Sequence, residues 1–128
     1  MERPITVLIV EDDRDLLHVI GGALYEEGCL VVLAHSGEAA LREMRLAREV
    51  PQVAFIDWCM PQMDGVETAY RLRDLPGFHA LPIYIMTGMT KLPRALDDFA
   101  VLYKPFALTQ LCEIVAKVLA PIQSAMGV

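Results

Sequence analysis

The sequence has few of the features that mark a secreted, membrane-spanning or nucleic-acid-binding protein. Its three cysteines are an odd number without the paired spacings of zinc sites, so they predict neither a disulfide framework nor a zinc centre. No apolar run approaches the roughly 18 residues of a membrane span, and no secretory cleavage signal follows the first apolar run. Lysine and arginine number 11 against 17 acids, a net charge of -6, which argues against binding to phosphate backbones. We therefore expect a cytoplasmic domain that has no direct contact with membrane or nucleic acid and whose partners are proteins.

The length of 128 residues fits one domain with a single core. Hydrophobic residues make up 55% of the chain, and without a membrane span they must lie inside, as in a sheet that is covered on both faces. The last residues, PIQSAMGV, lack a helical pattern. We expect a folded domain over residues 1–120 and a C-terminal tail over residues 121–128.

Five short apolar runs, mostly rich in β-branched or aromatic residues, predict five strands. The runs are continuous rather than alternating, which is typical of strands buried on both faces of a parallel sheet. They cover residues 5–10, 30–34, 53–56, 83–86 and 100–103.

Segments with apolar residues at helical spacing separate these runs. Gly28 suits the end of the first helix and Ser36 the N-cap of the second. Asp64 and Gly65 suit a turn that begins the third helix, and Pro121 is expected to end the last one. The strict alternation of strands and helices predicts an α/β fold with right-handed crossovers.

The fourth connection is the shortest. Sixteen residues separate Thr87 from Lys104, and they must contain a loop, a helix and most of the fifth strand. The segment LPRALDDF, residues 92–99, can form about two helical turns, with Pro93 near the first position. We expect a shortened fourth helix.

Polar side chains follow four of the predicted strands, where a ligand site is expected in an open parallel sheet. Asp57, the first charge after a buried strand, could cap a loop, bind a metal or act as a nucleophile. The residues that can lie side by side at this edge are Glu11, Asp12, Asp57, Thr87 and Lys104. Asp13, next to this group, is expected to be the N-cap of the first helix.

Several carboxylates in one pocket repel each other, and a divalent cation removes this conflict. Glu11, Asp12 and Asp57 offer hard oxygen ligands without histidine or thiolate, which suits Mg²⁺ rather than zinc. A magnesium site that also contains an ammonium group and a hydroxyl is suited to stabilising charge on a transferring phosphoryl group. Asp57 would then be the nucleophile, forming an acyl phosphate.

At these positions the sequence resembles the receiver domain of two-component response regulators. The resemblance covers nearly the whole chain, and four motifs carry it in order at the ends of the predicted strands. They are the acidic run in VLIVEDD, the D-x-x-M-P-x-x-D-G pattern of DWCMPQMDG, the threonine of IYIMTG and the lysine of YKPF.

The resemblance implies a role for each of these positions. Asp57 corresponds to the phospho-acceptor, Glu11 and Asp12 to metal-binding acids, and the backbone carbonyl of Cys59 to a further Mg²⁺ ligand. Thr87 corresponds to the hydroxyl that turns toward the phosphoryl group, and Lys104 to its ion-pair partner. The peptide bond between this lysine and Pro105 is expected to be cis.

The resemblance also implies a flavodoxin-like (βα)5 fold with strand order 2-1-3-4-5. The implied function is Mg²⁺-dependent transfer of a phosphoryl group to Asp57 from a histidine kinase or histidine phosphotransfer protein, followed by a conformational signal to an output protein or domain. Such a domain modifies itself and is not a turnover enzyme. The sequence leaves open the cognate kinase, the output, homodimer formation and whether the domain belongs to a longer protein.

Two departures from the family pattern keep alternatives open. The family usually has Tyr or Phe three residues before the lysine, where this chain has Val101. Together with the short fourth connection, Val101 motivates the alternative of a degenerate receiver that binds a partner without phosphorylation. Hydrolases with an aspartyl nucleophile usually carry a second acid two residues later, and Cys59 at that place argues against hydrolysis of small phosphate esters.

Overall fold

The computed structural model describes residues 4–91 and 96–125, with side chains up to residue 118. Five strands and four helices alternate along most of the chain. The strands are β1 (Thr6–Val10), β2 (Leu30–Ala34), β3 (Val53–Asp57), β4 (Ile83–Thr87) and β5 (Ala100–Tyr103). The helices are α1 (Arg14–Glu26), α2 (Gly37–Leu46), α3 (Gly65–Arg73) and α4 (Leu108–Ala125).

All strand pairs are parallel, and the strand order is β2-β1-β3-β4-β5. This confirms the expected α/β fold and strand order. Asp57 and Thr87 are the last residues of β3 and β4 rather than the residues after them.

Apolar side chains cover both faces of the three central strands, as the continuous runs predict, whereas the edge strands β2 and β5 are only partly buried. Leu8 and Ile56 point toward a core formed with α2 and α3. Ile9 and Phe55, one position away, point toward a second core formed with α1 and α4. Successive strand residues face opposite sides, so a strand buried on both faces needs apolar residues at every position.

Polar caps begin three of the helices where the sequence suggests them. The Asp13 side chain accepts hydrogen bonds from the backbone of Asp15 and Leu16, Ser36 caps α2, and Asp64 caps α3. Gly28 follows the end of α1 with a φ of 91°, a conformation that favours glycine. Capping is a local interaction, so the sequence alone identifies these boundaries.

The last helix does not end at Pro121, and that prediction was wrong. Helix α4 continues to Ala125. Proline removes one backbone hydrogen bond and crowds the preceding turn, which disfavours a helix without forbidding it. Residues 121–125, expected to be part of a tail, are therefore helical.

The predicted fourth helix falls partly on residues 92–95, which lie outside the described residues. Within the described part of this connection there is no α-helix: the Phe99 amide donates to the Leu96 carbonyl at 3.1 Å in a turn before β5. Within the described ranges, none of the helices combines the length and hydropathy that a membrane span requires.

Candidate functional site

The predicted site residues meet at the carboxyl edge of the sheet. Asp57 ends β3, which lies between β1 and β4. Glu11 directly follows β1, Thr87 ends β4, and Lys104 directly follows β5. Because these four strands are consecutive neighbours in the sheet, their ends bring the four residues to the same edge.

Three acids form a carboxylate cluster, which we define as Glu11, Asp12 and Asp57. One oxygen from each lies within 4.8 Å of the others. Glu11 is 1% exposed and Asp57 is 6% exposed, whereas Asp12 faces solvent. Oxygen donors at this spacing, with one side open to water, suit a hard divalent cation that keeps several waters, so the residues fit the expected Mg²⁺.

The Lys104 side chain spans the two buried members of the cluster. Its Nζ donates to Glu11 Oε1 at 2.5 Å and to Asp57 Oδ1 at 3.1 Å. The Lys104 amide donates to the Thr87 carbonyl at 2.7 Å, and the Lys104-Pro105 peptide bond is cis, as expected. One ammonium group thus pairs with two of the three clustered carboxyl groups, which leaves excess negative charge for a cation to neutralise.

Burial and the neighbouring charges shift the pKa values of Asp57 and Lys104. The pKa of Asp57 is raised to about 7, first by burial and then by the Glu11 carboxylate, while the hydrogen bond from Lys104 lowers it. Burial lowers the pKa of Lys104, but its hydrogen bonds to Glu11 and Asp57 outweigh burial and raise it above the ordinary value. The lysine therefore remains charged at neutral pH, and a bound cation would favour the ionised form of Asp57.

Thr87 and Cys59 differ in their exposure to solvent. Thr87 is 3% exposed, and its hydroxyl accepts a hydrogen bond from the Met89 amide at 3.0 Å. Cys59 is exposed and its thiol is free. A role for the Thr87 hydroxyl and for the Cys59 carbonyl at the site stays a prediction.

Gly65 contacts the backbone of Asp57, a role that sequence reasoning missed. The Gly65 amide donates to the Trp58 carbonyl at 2.8 Å. A Cβ atom at this position would overlap the Asp57 carbonyl oxygen and come within 2.8 Å of the Trp58 Cα. The Asp64-Gly65 pair is therefore a helix start, as predicted, and also a close support for the end of β3.

An apolar cavity beside Lys104 was also missed. Its volume is about 440 Å³, and α1 and the turn between β5 and α4 form its walls. Its lining residues are Leu16, Val19, Lys104, Pro105, Phe106 and Leu108. They lie far apart in the sequence, and only the packing of α1 against the turn brings them together.

Comparisons with known proteins agree with this geometry. The family model described as the response regulator receiver domain matches residues 7–116. The chain is 35% identical over 114 residues to the response regulator MprA of Mycobacterium ulcerans, and 31% identical over 112 residues to the phosphate regulon transcriptional regulatory protein PhoB of Rhizobium meliloti. These matches cover 84% and 82% of this chain but 47% and 48% of the relatives, so the chain spans about half the length of these curated relatives.

Among solved structures, the chemotaxis protein CheY4 of Vibrio cholerae superposes with a TM-score of 0.82 at 26% sequence identity. The match covers 91% of this chain and 99% of that one. The family match, the strand order and the acids and lysine at the carboxyl edge lead to one conclusion: the chain belongs to the receiver domain family of two-component response regulators.

Proposed function

We propose that this receiver accepts a phosphoryl group on Asp57, in a Mg²⁺-dependent reaction, from a phosphohistidine of a sensor kinase or phosphotransfer protein. The position of the Asp57 carboxylate supports this proposal. Asp57 is buried, one of its oxygens lies within 4.8 Å of an oxygen of Glu11 and of Asp12, and the Lys104 ammonium lies 3.1 Å from its Oδ1. A carboxylate held among other acids and one lysine is arranged for phosphoryl chemistry with a cation.

Glu11, Asp12, Asp57 and the Cys59 carbonyl would hold the cation. Mg²⁺ bound there supplies positive charge that neutralises the developing negative charge on the phosphoryl oxygens. Within the chain, Lys104 can exchange its hydrogen bond to Asp57 for one to a phosphoryl oxygen. Thr87 can turn its hydroxyl from the Met89 amide to another oxygen.

In the reaction, an Asp57 carboxylate oxygen attacks phosphorus as the bond to the donor imidazole nitrogen breaks. The imidazole keeps the electron pair of that bond, and the product is an acyl phosphate on Asp57. Water later hydrolyses the acyl phosphate and restores the carboxylate. The domain would thus modify itself and not turn over small phosphate esters, which agrees with Cys59, rather than an acid, two residues after Asp57.

The apolar cavity beside Lys104 supports a protein as the phosphodonor. Val19 on α1 is 54% exposed and Leu108 on α4 is 37% exposed, so the rim presents apolar surface to solvent. Because Lys104 forms part of the wall, a partner seated there lies next to Asp57. We assign this cavity to the protein that carries the phosphohistidine.

A degenerate receiver that binds partners without phosphorylation is the second candidate. Val101 favours it, because the aromatic residue usual at this position of the family is absent. The buried acids count against it, since a scaffold without phosphoryl chemistry gains nothing from repelling carboxylates.

Trp58 fluorescence is expected to separate the two candidates. Trp58 is the only tryptophan, adjoins Asp57 and is partly buried. Under the proposal, adding Mg²⁺ changes its emission, and adding beryllofluoride, a phosphoryl mimic, produces a second saturable change. The Asp57→Asn variant is the control and gives no second change. A wild-type protein that responds to Mg²⁺ but not to beryllofluoride would favour the degenerate receiver.

A further inference from the structure

The position of Lys104 depends on a short strand at the edge of the sheet. Strand β5 has four residues, lies at the edge of the sheet and pairs only with β4. Within it, Leu102 is buried, Val101 is partly buried, and Tyr103 is 51% exposed. Because Lys104 directly follows Tyr103, the contacts that hold β5 in place also limit the positions that the Lys104 ammonium can occupy.

Helix α3 holds the residues that lead into β5 through four side chains, which we call the α3 clamp: Tyr70, Arg73, Asp98 and Phe99. The Tyr70 hydroxyl donates to Asp98 Oδ2 at 2.5 Å, and the ring meets Phe99 edge-on at 5.0 Å between centroids. The Arg73 guanidinium lies 4.7 Å from the Phe99 ring centroid and donates to the Asp98 carbonyl at 3.3 Å. Hydrogen bonding, ring packing and a cation-π contact thus converge on two residues.

The clamp also contacts the segment just before β4. Arg73 donates through two nitrogens to the Leu81 carbonyl, at 3.3 and 3.2 Å. The hydrogen bond to Asp98 raises the pKa of the Tyr70 phenol, so the hydroxyl keeps its proton and remains a donor. A single helix end therefore fixes the approaches to two neighbouring strands.

The other end of α3 rests on the phospho-acceptor strand. Gly65, the first residue of α3, lies against the carbonyl of Asp57. A continuous path of described residues therefore runs from Asp57 through α3 and the clamp to β5 and Lys104. The two ends of this path form the 3.1 Å ion pair.

We propose that Tyr70 and Arg73 are positioning residues, which set Lys104 against the Asp57 site by holding Asp98 and Phe99 at the start of β5. The inference rests on the proposed function, since it assigns Lys104 a contact with the phosphoryl group. This positioning of Lys104 does not require the aromatic residue that the family usually has where this chain has Val101. Tyr70 and Arg73 act on Lys104 through packed and hydrogen-bonded residues. The strength of this effect can be measured as a coupling free energy between distant substitutions.

The test is the affinity for beryllofluoride at saturating Mg²⁺, read from Trp58 fluorescence. Tyr70→Phe deletes only the hydroxyl and keeps the ring on Phe99, and it is expected to weaken beryllofluoride binding about two- to fivefold, the range of one modest hydrogen bond. Arg73→Gln removes more contacts and is expected to weaken binding further. Mg²⁺ affinity should not fall in either variant, because Lys104 is not a metal ligand.

Arg71→Gln is the matched control. Arg71 lies on the same helix, is exposed and pairs with Glu67 one turn away, so its loss should leave beryllofluoride affinity unchanged. In a Lys104→Gln background, Tyr70→Phe should have no further effect, because the residue through which it acts is gone. Thermal unfolding of each variant identifies any loss that comes from misfolding.

Two results would overturn the inference while leaving the proposed function intact. One is wild-type binding of beryllofluoride together with a Tyr70→Phe affinity equal to that of Arg71→Gln. The other is a Tyr70→Phe effect that persists in full without Lys104. A wild-type protein that binds Mg²⁺ but no beryllofluoride would instead refute the proposed function and the inference with it.

Discussion

Replacing Gly65 by alanine is expected to lower the free energy of unfolding by about 3 kcal/mol and to abolish most beryllofluoride binding. The added Cβ would overlap the carbonyl oxygen of Asp57, and backbone atoms cannot move aside as a flexible side chain can. Overpacking of this kind costs typically about 1–3 kcal/mol, and a clash with backbone belongs at the upper end. Urea denaturation measures the first effect and Trp58 fluorescence the second.

Gly22→Ala is the control for this substitution. Gly22 is an exposed residue within α1, and a Cβ there would meet no atom within 4 Å. Alanine should stabilise the helix by about 0.5–1 kcal/mol, since glycine is the poorer helix former. A Gly65→Ala protein as stable as wild type, with undiminished beryllofluoride affinity, would show that the contact with Asp57 has no part in holding the site.

Without added metal, Asp57→Asn is expected to be more stable than wild type at pH 8 by about 1–2 kcal/mol. The pKa of Asp57 is about 7 in the folded protein and 3.8 as a reference for the unfolded chain. At about 1.4 kcal/mol for each tenfold change, this difference would correspond to about 4 kcal/mol. Water at the open edge of the sheet screens the charge, which lowers the expected effect to about 1–2 kcal/mol.

The sign of the pH dependence follows from the raised pKa. Between pH 3.8 and about 7 the folded protein keeps a proton on Asp57 that the unfolded chain releases. The contribution to stability is therefore complete below pH 3.8 and is lost as the pH rises through about 7. Asparagine cannot ionise, so the difference between the variant and wild type should grow across this range.

Denaturation at a series of pH values between 4 and 8, in EDTA, measures this difference. Asp97→Asn, which replaces an exposed acid outside the cluster, should follow the wild-type curve. Adding Mg²⁺ at pH 8 should stabilise wild type, by about 1.4 kcal/mol at tenfold excess over the dissociation constant, and should stabilise Asp57→Asn much less. A constant stability difference between Asp57→Asn and wild type from pH 4 to pH 8 would contradict the raised pKa of Asp57.

The parts of the fold that the sequence predicts are those set by local patterns. Continuous apolar runs identify the strands because a strand buried on both faces needs an apolar residue at each position. Ser36 and Asp64 identify helix starts because a cap bonds to amides within its own first turn. Placing Asp57, Thr87 and Lys104 at the ends of parallel strands predicts one common edge, and the strand order implied by the family resemblance makes them neighbours there.

The remaining features depend on packing between distant segments. The contact of Gly65 with Asp57 depends on how the turn after β3 folds back, which spacing does not reveal. The clamp joins Tyr70 to Asp98, 28 residues later, and neither has an unusual sequence context. Pro121 misled because a proline disfavours a helix without forbidding it, and α4 continues to Ala125.

Intact mass after incubation with acetyl phosphate and Mg²⁺ shows directly whether Asp57 accepts a phosphoryl group. Acetyl phosphate needs no partner surface, so the result depends on the carboxylate cluster, Lys104 and Thr87 alone. We expect wild type to gain the mass of one phosphoryl group, EDTA to prevent this gain, and Asp57→Asn to gain nothing. An unmodified wild-type protein, or a phosphoryl group that still appears on Asp57→Asn, would contradict the proposed function.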